Sequence, residues 1–287
     1  MFLVTGATGH LGSAAIDHLL TQVGADQVVA FARSEAKAEP LRAKGVDVRF
    51  GDYDNSAALE QAMQGVRKVL LVSSNDHGNL LTQHMNVVGA AEKAGVEHVV
   101  YTGTAVKDAE ASPMSPMLTA HFRTEDHLRS SGIAHTILRN SMYTDALPFF
   151  LGEKVFDLGV NVPAGNGRIP FALRREMGEA AANVLLQDGH EDKTYELTAS
   201  EAHTFADIAH VLSERSGKPV AYVSPDPQTF ADGLRSAGVP EFGVTALSAF
   251  ITDMREGRYE IITRDLENLL GRKPMPLSES LTEVYSL

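Results

Sequence analysis

A doubly wound α/β fold, with a parallel sheet covered by helices on both faces, is the class this 287-residue sequence predicts. Three observations carry the prediction. Six short apolar runs before residue 141 are separated by segments of helical periodicity. Four of those segments stop at glycine, at Gly45, Gly65, Gly95 and Gly132. The first apolar run, FLVT, leads straight into Gly6, Gly9 and Gly12 at the head of the first helical segment. Strands that alternate with capped helices run parallel. A parallel strand is buried on both faces, so it reads as an uninterrupted apolar run.

FLVT is the first strand, and LGSAAIDHLLTQ is a helix with Ile16, Leu19 and Leu20 at helical spacing. QVVAFA is the second strand. EAKAEPLRAKG is a helix, expected to start late because of Pro40 and to stop at Gly45. VDVRF is the third strand. SAALEQAMQG is a helix with Ser56 as expected N-cap and Leu59, Ala62 and Met63 inward. RKVLLVSS is the fourth strand. The helix NLLTQHMNVVGAAEKAG should place Leu80, Leu81, His84, Met85 and Val88 on one face. VEHVVYTG, the helix AHFRTEDHLRSSG and IAHTILRN complete the repeat. After Tyr143 the rhythm breaks. ALPFFLGEKVFDLG is irregular, RREMGEAAANVLLQ reads as a helix returning to the sheet, and KTYELT and KPVAYVS read as strands. TFADIAHVLSERSG, DPQTFADGLRSAG, VTALSAFITDMREG and RDLENLLG read as helices, followed by a tail. The expected division is 1–147, joined by 172–188, and a smaller mixed α/β substrate-binding domain in the rest of 148–287.

Hydrophobic residues make up 44% and charged residues 22%, an ordinary globular composition. No apolar run approaches the roughly 18 residues of a membrane span, and the glycine stretch leaves no room for a leading signal. A cytoplasmic location and no membrane partner are expected. The absence of cysteine excludes disulfides and thiolate chemistry. A net charge of -12 repels nucleic acid, so an anionic ligand must be held by local donors. No two of the eleven histidines have convincing metal-ligand spacing. His77 and His84, seven apart, read as flanking a helix start, and no metal site is expected.

Glycines between a strand and a helix suit a dinucleotide. Gly6 permits the turn, Gly9 lets the backbone approach a phosphate, and Gly12 lets the helix pack on the strand. The pyrophosphate would rest on free amides where the dipole favours negative charge. The spacing is GxxGxxG rather than GxGxxG, and the site comprises Gly6, Thr8, Gly9, His10, Leu11 and Gly12. An acid commonly ends strand two where the ribose is unphosphorylated; here Arg33 and Ser34 stand there. A guanidinium and a hydroxyl suit a 2′-phosphate, which favours NADP(H). The alternative leaves Arg33 in solvent or paired with Glu35. Asp52, in FGDYDN, either accepts from the adenine amino group or caps the next helix, and Tyr53 is placed to cover the adenine ring.

With the glycine motif, Arg33, GDYD, LLVSSN and ILRNSMYTD in view, the chain resembles the NmrA-like atypical short-chain dehydrogenase/reductases, in particular the NAD(P)H:quinone oxidoreductase and triphenylmethane reductase group. The resemblance covers nearly the whole length and is tightest over 1–145. It implies a Rossmann domain in which Ser73, Ser74 and Asn75 border the nicotinamide half of the cofactor, while Asn140, Ser141, Met142 and Tyr143 close over it. Ser73 and Ser74 would serve equally to end a strand and enter a helix. Set against relatives with a lysine-bearing helix, His121 stands where that lysine would be. It is the candidate to give a proton to a reduced acceptor or to bond the ribose.

The Tyr-x-x-x-Lys pair of most short-chain dehydrogenases is absent: the residues four past the tyrosines are Ala57, Ala105, Leu147, Ala199, Asp226 and Thr263. Hydride addition to an isolated ketone leaves a strongly basic alkoxide and needs a positioned acid. A quinone delocalises the incoming charge, and a cationic dye is neutralised by it. The expectation is therefore an NADPH-dependent reductase of quinones or triphenylmethane-type dyes, using neither flavin nor metal. An NADP(H)-sensing regulator with a protein partner is the alternative, and a sugar-nucleotide epimerase is disfavoured by the missing pair. A homodimer stays open. The acceptor belongs in the cleft between the domains, where Met117, Phe122, Tyr143, Phe149, Phe150 and Phe171 are candidate lining residues or else core. ASPMSPML, with Met114 and Met117, suits an adaptable lid.

Overall fold

The computed structural model of the chain describes residues 1–76, 78–152 and 154–287. Its strands are β1 (Phe2–Val4), β2 (Val28–Ala32), β3 (Asp47–Phe50), β4 (Lys68–Leu71), β5 (His98–Thr104), β6 (Ala134–Asn140), β7 (Val160–Asn161), β8 (Lys193–Leu197) and β9 (Tyr222–Val223). The helices of the first half are α1 (His10–Gln22), α2 (Glu35–Ala43), α3 (Ser56–Ala62), α4 (Leu80–Ala94) and α5 (Ser115–Ser130). Those that follow are α6 (Leu147–Leu151), α7 (Val155–Leu158), α8 (Arg174–Leu186), α9 (Phe205–Ser216), α10 (Pro227–Ser236), α11 (Glu241–Arg255), α12 (Asp265–Leu270) and α13 (Leu277–Tyr285).

Seven strands form one parallel sheet in the order β3-β2-β1-β4-β5-β6-β8. Phe2 lies opposite Val28 on one side and Lys68 on the other, so the winding reverses between β1 and β4. Such a reversal opens a crevice at the carboxyl ends of the strands. Alternate residues of each strand enter opposite faces. Val4, Leu70, Val100 and Leu138 pack with Ile16 and Leu19 of α1, Val184 and Leu185 of α8, and Leu266 of α12. Leu3, Val69, Val99, Tyr101 and Ile137 pack with Leu59, Val87, Val88 and Leu128 on the other face. A third core gathers Phe171, Phe205, Leu212, Ile251, Met254 and Leu281, and beside it β7 pairs with β9.

One close approach holds α1 in place. A Cβ on Gly178 of α8 would lie 2.7 Å from the Leu11 carbonyl and 2.9 Å from the Ala14 Cβ. The two helices therefore touch backbone to backbone, which only glycine allows.

Several local expectations are corrected. α2 is not delayed: Pro40 sits inside it, and the helix begins at Glu35 because Ser34 accepts from the Lys37 amide. The N-cap of α3 is Asn55, whose Oδ1 accepts from the Ala58 amide at 3.0 Å; Ser56 is already helical, and Asp52 does not cap it. Met85 is exposed, and Gln83 with Val87 completes the buried face of α4. KTYELT is β8 of the main sheet, and α12 packs beside it through Leu266 and Leu270. The expected second-domain span is thus interrupted beyond 172–188, because an apolar sheet edge next to β6 is covered by another strand. The tail contains α13, whose Leu281 is buried in the third core. No described helix is long and apolar enough to cross a membrane.

Two of the buried imidazoles, His84 and His98, have pKa values well below the usual one. His84 Nε2 accepts from the Ser74 amide at 3.1 Å, and its Nδ1–H donates to Thr124 Oγ1 at 3.0 Å, since the Thr124 hydroxyl donates to the Ala120 carbonyl. His98 Nε2 pairs with Thr136 Oγ1 at 2.8 Å. Burial lowers the pKa of His84 from 6.5 to about 3 and that of His98 to about 4.

Gly178→Ala is expected to destabilise the fold by about 1–3 kcal/mol through overpacking against α1, read from urea denaturation. The two histidines give a pH dependence of defined sign. The unfolded chain binds their protons near pH 6.5 while the folded chain does not, so their contribution is full above pH 6.5. It falls away towards about pH 4 and 3. Unfolding free energies measured at pH 7.5, 6 and 5 should decline with a slope approaching about 1.4 kcal/mol per pH unit for each ring, and His98→Asn should remove one ring's share.

Candidate active site

A cleft of about 860 Å³ lies at the carboxyl ends of the strands, and the glycine bend forms its floor. Gly6 has φ +56°, and a Cβ on it would press Val72 at 3.1 Å. The Gly9 amide donates to the Gly6 carbonyl at 2.9 Å, closing the turn. A Cβ on Gly12 would come within 2.4 Å of that same carbonyl. Gly6 thus makes the turn and Gly12 lets α1 come close to it. The first intrahelical bond of α1 runs from the Ser13 amide to the Gly9 carbonyl, so the amides of residues 10–12 precede the helical ladder. Gly9 supplies no side-chain cap and the first turn of α1 carries no acid, which leaves this positive end to an anion from outside the helix.

Thr8, His10, Leu11, Arg33 and Asp52 line the same cleft. Arg33 does not pair with Glu35; its guanidinium faces the Asp52 carboxylate at 3.7 Å. Lys37, one turn into α2, adds a second cation that the sequence reading missed. Ser34 does not line the cleft, because its hydroxyl is the cap of α2. Tyr53 reaches the cleft, but its hydroxyl lies 2.6 Å from Thr5 Oγ1 and 2.9 Å from the Val72 carbonyl, and its ring is stacked parallel to Phe31. This phenol braces β1 against β4, and burial pushes its pKa up.

Ser73, Ser74, Asn75, Asn140, Ser141, Met142 and Tyr143 form the far wall. The Ser73 amide donates to Thr102 Oγ1 at 2.9 Å, the Ser74 amide to His84, and the Ser74 hydroxyl to Gln83. The segment after β4 is thereby pinned at each residue. Gln83, buried on α4, was missed because its polarity hid it from an apolar-face count. The Ser141 hydroxyl donates to the Pro170 carbonyl at 2.8 Å. Asn140 Nδ2 donates to the Tyr143 hydroxyl at 3.2 Å, while its Oδ1 is buried without a hydrogen-bond partner. The Arg174 guanidinium stacks 4.2 Å above the Tyr143 ring and donates to Asp145 at 2.7 Å.

His121 is 9% exposed and lines the cleft, with Nδ1 2.7 Å from the Tyr101 hydroxyl. Burial raises the Tyr101 pKa, so the phenol keeps its proton. Met117 lines the cleft from α5. Its segment is not a loose lid: Ser112 donates to the buried Asp253 carboxylate of α11, and α5 starts at Ser115. Met114 does not line the cleft.

The aromatic wall is partly as expected. Phe149, 78% exposed, meets Phe150 edge to face, and Phe150 stacks on Phe250 at 5.8 Å. Phe250 stacks on Tyr259 at 5.3 Å, and all four line the cleft. Phe250 and Tyr259 lie in a helix and turn that carry no local motif, so only the fold brings them here. Phe122 and Phe171 lie elsewhere. Phe122 sits under the Arg139 guanidinium at 5.2 Å, outside the cleft. Phe171 is core, edge to face with Phe205, and borders a separate hollow of about 600 Å³. His77 lies outside the described residues. Among the described residues no group of three His, Asp or Glu side chains is arranged to hold a metal ion.

Comparison with known proteins agrees with this geometry. The profile described as the NmrA-like family matches residues 1–279. "Quinone oxidoreductase 2" of Escherichia coli (strain K12) is 38% identical over 291 residues, covering 100% of this chain and 99% of that protein. The crystal structure of Citrobacter sp. triphenylmethane reductase complexed with NADP(H) superposes with a TM-score of 0.91 at 38% identity, covering 99% of this chain and 100% of that one. The NADPH-dependent quinone oxidoreductase of Escherichia coli complexed with NADPH gives 0.90 at 38% identity, with 99% and 100% covered. A glycine bend at the winding reversal, a cationic rim and a match over almost the full length together place the chain in the NmrA-like family of reductase-fold proteins.

Proposed function

We propose that this protein is an NADPH-dependent reductase that transfers hydride directly to a quinone or a similar conjugated acceptor such as a triphenylmethane dye, in the cytoplasm and with neither flavin nor metal. The observation that carries the reading is one cleft holding both a dinucleotide cradle and a stacked aromatic wall, in a chain without the Tyr-x-x-x-Lys pair. The relatives at 38% identity, named as a quinone oxidoreductase and a triphenylmethane reductase, support it.

The residues present fit NADPH. The amides at the start of α1 and the glycine bend suit a diphosphate, Arg33 and Lys37 a 2′-phosphate, and the partnerless Asn140 Oδ1 a donor from the nicotinamide half. When bound, the dinucleotide supplies the hydride. The chain's own residues hold the two flat partners face to face. Phe149, Phe150, Phe250 and Tyr259 offer a surface for a planar acceptor, and the pinned Ser73–Ser74 segment fixes the opposite wall. Alignment of this kind lowers the barrier by removing freedom in advance. A hydroquinone anion is a phenolate with a pKa near 10, so water can protonate it and no strong acid is needed. His121 stands ready to give a proton to the reduced acceptor or to bond the ribose.

NADPH absorbance at 340 nm should fall when quinone is added to the protein. Tight NADP(H) binding with no turnover across quinones and cationic dyes would favour the sensor instead. Replacing Arg33 and Lys37 together by alanine should raise the Kd for NADPH about 10–100-fold and leave NADH within about twofold. His121→Asn should lower kcat/KM for a quinone about tenfold with NADPH affinity retained; a raised Kd for NADPH would assign the ring to the ribose.

A further inference from the structure

Among the described residues that line the cleft, three carry a fixed positive charge: Arg33, Lys37 and Arg174. Arg33 and Lys37 follow β2, at the end read above as the place of a 2′-phosphate. Arg174 is the first residue of α8 and approaches from another direction. α8 runs parallel to α1. Gly178 lies against Leu11 and Ala14, and further along both helices Asn183 Oδ1 is 2.8 Å from His18 Nε2. One turn back from Gly178, about 6 Å along the axis, α8 reaches Arg174. Its guanidinium therefore belongs beside the bend that leads from Gly6 into α1, where the amides of residues 10–12 lie outside the helical ladder.

The guanidinium is held in place but not used up. Asp145 accepts from the Arg174 amide at 3.1 Å and from Nη1 at 2.7 Å, and the planar group lies 4.2 Å over the Tyr143 ring. Nε and Nη2 bond no described residue, and the side chain keeps 26% of its surface open. A fork anchored by one nitrogen, with its other donors accessible in a ligand cleft, suits an oxyanion. We propose that Arg174 is a cofactor-binding residue whose Nε and Nη2 donors clamp the diphosphate of the dinucleotide against the amides of α1. The inference rests on the reading of the cleft as a dinucleotide site. A diphosphate brings two negative charges into a chain whose own net charge is -12, and the end of α1 offers only about half a positive charge. A guanidinium on the open side supplies the rest through charge-assisted bonds. Asp145 does not spoil this, because its oxygens are engaged by the amide of α8 and by Nη1. With the plane set by Tyr143 and Asp145 in advance, little side-chain freedom is lost on binding.

The two groups of cations should separate in binding experiments. Arg33 and Lys37 face a phosphate found only in NADPH, whereas the diphosphate is common to NADPH and NADH. The test is Arg174→Gln, with Kd values for NADPH, NADH and 2′-AMP, which carries a 2′-phosphate but no diphosphate, and with melting temperatures for both proteins. The expected result is a rise of about tenfold in Kd for NADPH and NADH alike, with 2′-AMP changed by less than about twofold. Arg174→Lys should recover part of the loss, since an ammonium restores the charge without the fork. Unchanged Kd values for both dinucleotides, a loss confined to NADPH, or an equal loss for 2′-AMP would overturn the assignment. If the unaltered protein binds neither dinucleotide, the reading of the cleft itself fails, and this proposal goes with it.

Discussion

The Gly6 carbonyl is the point on which the molecule turns. It receives the Gly9 amide and lies so close to the Gly12 Cα that a Cβ there would fall within 2.4 Å. Those two contacts fold the chain from β1 into α1 in the shortest possible bend. They point the amide-bearing end of α1 into the crevice where the sheet winding reverses. Gly178 secures the other side of α1, because α8 touches it backbone to backbone. Were α1 displaced by the width of a methyl group, its amides would no longer face the cleft, and the rest of the site would have no anion to align.

Opposite this bend, side-chain hydrogen bonds replace close packing as the source of rigidity. His84 links the Ser74 amide to Thr124 of α5, and Tyr101 links β5 to His121 of the same helix. The His84 and Tyr101 rings meet edge to face at 5.2 Å. Hydrogen-bonded partners in a buried setting hold geometry that an unpaired polar group would not. The segment after β4 is thus joined to the helix that carries Met117 and His121.

The smaller region is attached to this frame by its own polar contacts. Ser112 and Arg258 converge on the buried Asp253 carboxylate, tying the segment before α5 to the end of α11. Phe250 of α11 stacks with Phe150 and with Tyr259. The aromatic wall therefore draws on α6, α11 and the turn after α11, while the glycine bend belongs to β1 and α1.

What the sequence by itself determined was everything that depends on neighbours along the chain. The apolar runs, the glycine stops at Gly45, Gly65, Gly95 and Gly132, the GxxGxxG bend and Arg33 after β2 each follow from local sterics or from periods of two and 3.6, and the structure has them where the pattern puts them. The cap of α3 slipped by one residue and Pro40 was absorbed within α2, because boundaries turn on single hydrogen bonds that composition does not reveal. What only the tertiary structure decided were relations between distant residues. Phe122 and Phe171 have the same chemistry as Phe150 and Phe250, yet packing turned the first two away from the cleft and the others into it. Lys37, Gln83 and Tyr259 carry no motif at all. Their roles come from which surfaces the sheet order brings together, and that order is set by the burial of all the strands at once.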